Sequence, residues 1–124
     1  MAHWREFLIV ASGGALGSCL RYAFSLLAAG LGVHATLGTF AANFLGSFLI
    51  GLAMSLTRDS LLLFLSVGVC GGFTTLSTFS SQTLSLLMTG HKGAAFLYLG
   101  ATLTLCLSAV MFGLHLGQRL QHVL

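Results

Sequence analysis

Cys70-Gly-Gly-Phe-Thr-Thr-Leu-Ser-Thr-Phe-Ser-Ser-Gln-Thr83 sets two adjacent glycines and a run of hydroxyl side chains inside an otherwise hydrophobic stretch. Lipid offers no hydrogen bonds, so polar or interrupted backbone at membrane depth must be satisfied by protein, water or an ion. Gly71 and Gly72 supply backbone freedom, and Thr74, Thr75, Ser77 and Thr78 can stabilise an interruption through hydroxyl-to-backbone bonds. The stretch therefore predicts a helix broken within the membrane. Carbonyls freed by such a break are hard oxygen ligands suited to a small cation. A serine- and threonine-rich kink that holds no ion accounts for the same pattern.

The membrane setting follows from composition. Of 124 residues, 56% are hydrophobic and 6% charged, against roughly 25% charged in an ordinary soluble domain. The charges are Arg5, Glu6, Arg21, Arg58, Asp59, Lys92 and Arg119. The intervals between them predict four crossings, at 5–29, 36–57, 60–89 and 94–118, in a single transmembrane domain covering 1–124. Turns fall at Gly30-Leu-Gly-Val-His34, Arg58-Asp59 and Gly90-His-Lys-Gly93. A β-barrel would show alternating segments of about ten residues instead of long apolar runs, so the fold class is an all-α integral membrane protein.

Arg5, Arg58 and Arg119 fall on one side of four crossings, and Arg21 and Lys92 on the other. Orientation follows the Lys/Arg bias of short loops, and a near-tie leaves both directions of insertion open. Polar strips on a thin four-helix subunit need a second copy to cover them, which predicts a dimer. Copies inserted in opposite directions would repeat any path between them. Gly13, Gly14, Gly17, Gly46 and Gly51 are read as packing glycines that let helices approach closely. The basic pI of about 9.1 rests on scattered residues, without the clustered patch that nucleic-acid binding needs.

Within the second crossing, Asn43 offers two donors and an acceptor to a passing ion or to a neighbouring helix. In the fourth, Tyr98, Thr102 and Cys106 recur at i, i+4 and i+8 as one stripe of donor-bearing side chains. Arg21 closes the first crossing either as an interfacial anchor or as an attractor of anions. Cys19, Cys70 and Cys106 show neither a disulfide framework nor zinc-ligand spacing, and the five histidines lie near segment ends. Glu6 and Asp59 also sit at segment ends, so no carboxylate within a crossing can carry a proton or clamp a cationic drug. That counts against a proton-coupled small exporter of the dual-topology type, and no nucleophile–base set points to an enzyme. A neutral, donor-rich pathway suits a small anion.

Gly13-Gly-Ala-Leu-Gly-Ser-Cys-Leu-Arg-Tyr22, Gly38-Thr-Phe-Ala-Ala-Asn-Phe-Leu-Gly-Ser47 and Gly68-Val-Cys-Gly-Gly-Phe-Thr-Thr-Leu-Ser-Thr-Phe79 resemble the Fluc/CrcB fluoride channels over nearly the whole chain. The resemblance implies four helices per subunit, a break in helix three, and an antiparallel dual-topology homodimer. Its two pores would export fluoride passively across the inner or plasma membrane of a prokaryotic cell. It also implies a structural sodium ion at the dimer interface on backbone carbonyls, a role carried here to Gly71 and Thr74. Asn43, Phe79, Thr75, Ser77, Thr78, Tyr98, Thr102, Cys106 and Arg21 match pore positions. Leu76 stands where a phenylalanine is usual, removing one aromatic edge and its positive rim. Cys106 replaces a more usual serine, and Gln82 a frequent glutamate. One subunit of a heterodimeric channel, tolerant of Leu76, is an alternative reading; a purely structural scaffold is the least favoured.

Overall fold

A computed structural model describes residues 3–124. Four helical spans long and apolar enough to cross a membrane run over His3–Gly30, Ala35–Leu56, Asp59–Met88 and Lys92–Val123. The first two are helices α1 (His3–Gly30) and α2 (Ala35–Leu56). The third is composite: α3 (Asp59–Leu62), a π-helical stretch (Leu63–Cys70), α4 (Gly71–Phe73) and α5 (Leu76–Met88). The fourth is α6 (Lys92–Val123), which runs five residues past the expected end at 118. Hydropathy registers only its apolar part; beyond it, the Gln121 side chain donates to the Ser55 carbonyl and ties the extension to α2.

Two glycines end helices by adopting left-handed backbone. Gly32, at φ 72°, closes α1 with Val33 N–H donating to Ala28 O at 2.9 Å and Gly32 N–H to Ala29 O at 3.0 Å. Gly90, at φ 82°, repeats the arrangement after α5 through His91 N–H to Leu86 O at 2.8 Å. This paired capping satisfies carbonyls that a helix end would otherwise leave bare.

The interior is built from small residues. Ala42, Ala53, Ala95 and Ala109 are buried, while most large aliphatic and aromatic side chains point outward. Such packing brings backbones together where lipid removes the hydrophobic drive between helices. Gly51 and Gly113 lie where an added methyl group would collide with the carbonyls of Val110 and Phe48, joining α2 to α6. Gly13 and Gly17 do the same against Phe64 and Val69 of the third span, whereas Gly14 has open space where a side chain would project.

The expected break is displaced from the glycines. Gly71 is helical, at φ −61° and ψ −37°, and Gly72 lies within α4. The chain leaves the helix at Thr74 (φ −78°, ψ 157°) and Thr75 (φ −148°, ψ 114°). Gly72 instead serves close approach: a Cβ there would lie 2.6 Å from the Gly14 carbonyl oxygen.

Candidate functional site

A groove of about 350 Å³ opens beside the break, lined by Asn43, Gly71, Thr74, Thr75, Leu76, Phe79, Thr102 and Cys106 together with mostly apolar neighbours from α2, the third span and α6. Asn43 holds the break in place. Its Oδ1 accepts from Thr75 N–H at 2.7 Å and its Nδ2 donates to Thr75 O at 3.1 Å. The side-chain amide thus acts as a second peptide group for a residue whose own helix has parted. Gly46, one turn before Ile50 on α2, leaves the room that the Thr74 methyl occupies.

A continuous helix would send the N–H of Thr75 to Gly71 O and that of Thr78 to Thr74 O. Here Thr75 N–H turns to Asn43, and Thr78 N–H is capped by Thr75 Oγ1 at 3.3 Å. The carbonyls of Gly71 and Thr74 are thereby released. Gly72 O, freed of Leu76, accepts from Arg21 Nε at 3.1 Å.

Thr102 is 5% exposed, and its Oγ1 has no hydrogen-bond partner among the described residues. A buried hydroxyl without a partner calls for an explanation, such as an unseen water or ion. Cys106 lies one turn further along α6 and is part-buried. Phe79 is 5% exposed, and its ring meets Tyr98 edge-on, with centroids 5.0 Å apart. Tyr98 in turn donates its hydroxyl to Gln82 Oε1 at 2.8 Å. Gln82 thus has a structural use as acceptor. Leu76, at the start of α5, is 73% exposed on the single subunit.

The remaining sequence-derived site residues lie apart from the groove lining. Ser77 is exposed with its Oγ 3.3 Å from Thr75 Oγ1, and Thr78 Oγ1 lies 3.1 Å from the same atom. Tyr98 stands behind Phe79, and Arg21 approaches the break from α1. Ser47 lines the groove without having been singled out by its residue type. Its i, i+4 spacing from Asn43 puts both on one helix face, which is the signal that finds it.

Residues 8–114 match the family model described as CrcB-like protein, Camphor Resistance (CrcB). The chain belongs to the CrcB-like family. It is 48% identical over 118 residues to the fluoride-specific ion channel FluC of a Thermus thermophilus strain, a match covering 90% of this chain and 94% of that protein. FluC of Agrobacterium fabrum is 43% identical over 119 residues, covering 90% and 95%. FluC of Clostridium perfringens is 41% identical over 124 residues, covering 94% of each chain. With four apolar spans and bacterial relatives, this CrcB-like protein belongs to the prokaryotic plasma membrane. Its relatives carry the name of channels, and the chain, as a member of their family, is not an enzyme.

Proposed function

We propose that two copies of this chain, inserted in opposite directions, form a channel that passes fluoride passively out of the cell and so confers fluoride resistance. The observation that carries the reading is the buried Thr102 hydroxyl, without a partner among the described residues, on a residue that lines a groove with no carboxylate in its lining. Fluoride is small and strongly hydrated, so a selective pore must replace its water with closely spaced donors and hold no single site too deep. Thr102 supplies one donor, and the Cys106 thiol a weaker one. Asn43 keeps one N–H beyond the bond it gives Thr75. The edge of Phe79 adds a positive rim. The names of the relatives point the same way.

The groove is open on one subunit, and the exposed Leu76 stands at its margin. A second copy of the chain is the cover this reading assigns, with lipid around the pair. The three-to-two division of basic residues favours neither orientation, as an oppositely inserted pair requires.

The same reading includes a structural sodium ion shared by the two copies. The residues fit it: Gly71 and Thr74 both line the groove and offer carbonyls released from the helix ladder, and backbone oxygens suit a hard cation. When bound, the ion supplies positive charge that ties the two broken helices together. Asn43 holds Thr75 so that those carbonyls stay free of their helical donors.

Purified chain alone in liposomes tests the proposal. Fluoride should leave rapidly with or without a pH gradient while chloride is retained. Equal loss of both anions, dependence on a proton gradient, or no flux would overturn it.

A further inference from the structure

We propose that Arg21 is a positioning residue of the break, acting through its Nε–H on the Gly72 carbonyl and not through its charge. This rests on the sodium site proposed above. Arg21 reaches from α1 to a residue 51 positions later, and the bond of 3.1 Å is part-buried. An unbroken helix would have given Gly72 O the N–H of Leu76; the break removes that donor. A carbonyl left bare in apolar surroundings is costly, and Arg21 supplies the replacement.

The contact is part of a clasp. Gly14, Ser18 and Arg21 share one face of α1 at i, i+4 and i+7 spacing. The first two meet Gly72 so closely that a Cβ on it would lie 2.6 Å from Gly14 O and 3.0 Å from Ser18 N. From the other side, Asn43 grips Thr75. The broken segment is therefore braced from two helices. Because Arg21 occupies Gly72 O, that carbonyl is held to α1, and the flanking carbonyls of Gly71 and Thr74 keep a fixed spacing.

Glutamine tests this because its Nε2 stands the same number of bonds from Cα as arginine Nε. R21Q retains a donor at that position without the charge, R21K retains the charge without that donor, and R21M has neither. The readout is the sodium concentration that half-saturates thermal stabilisation of the full-length protein in detergent, with potassium replacing sodium as control. R21Q should stay near wild type, while R21K and R21M should need about tenfold more sodium, the scale of one hydrogen bond to a part-buried carbonyl.

The proposal is overturned if R21K tracks wild type while R21Q tracks R21M, if all variants respond alike, or if wild type shows no sodium stabilisation. Should R21M fail to fold, the comparison of R21Q with R21K decides alone. Fluoride efflux from the same wild-type preparation, read separately, distinguishes failure of the channel reading from failure of the Arg21 role.

Discussion

Asn43 and Thr75 exchange two hydrogen bonds across 32 residues of sequence, at 2.7 and 3.1 Å. A side-chain amide on an intact helix replaces the partner that a broken helix has lost. The same contact positions the break and brings one further amide hydrogen to the groove.

Asn43→Ala removes both bonds and strands the Thr75 peptide. Loss of about 1–3 kcal/mol of stability is expected, with a fall in fluoride efflux and an elution volume on size-exclusion chromatography unchanged from wild type. Unchanged efflux would remove Asn43 from the site.

Thr102→Val keeps the side chain's shape and removes the orphaned hydroxyl. An unpaired buried hydroxyl costs about 1 kcal/mol or more, so thermal stability should hold or rise. Efflux should fall in the same variant. A variant that is more stable and equally conductive would mean that the hydroxyl serves no ion.

Leu76→Phe adds a ring edge at the margin of the groove, at a position exposed on the single subunit. If the leucine limits conduction, fluoride flux rises. A drop would mean that the surrounding path is fitted to leucine.

Gly113→Ala places a methyl group against the Phe48 carbonyl at the α2–α6 contact. Rigid backbone cannot yield cheaply, and a loss of about 1–3 kcal/mol is expected from overpacking. Gly100→Ala, on the same helix with open space around it, is the control and should hold or raise the melting temperature, since alanine is the better helix former.

The four spans were legible because transfer into lipid demands long apolar runs, and Lys/Arg, glycine and histidine mark their ends. The location of the break was less so. Gly71 and Gly72 advertise flexibility, yet both stay helical, because Gly72 is used for contact with α1 and Thr75 is drawn out by an asparagine of another span. No local pattern encodes such a partner. Nor does Leu63-Phe-Leu-Ser-Val-Gly-Val-Cys70 carry a signature of its wider turns. Of the i, i+4 stripe, Thr102 and Cys106 line one groove with Asn43 and Phe79, while Tyr98 stands behind Phe79. Gly113 and Gly117, which seat α6 on α2, carry the small-residue spacing that marks helix contacts in lipid.

A channel of neutral donors must conduct fluoride in preference to other anions. Current through the purified chain in a planar bilayer, with fluoride on one side and chloride on the other, measures this directly. A reversal potential displaced strongly toward fluoride equilibrium is the expected result; one that treats the two anions alike, or a membrane that stays silent, would contradict it.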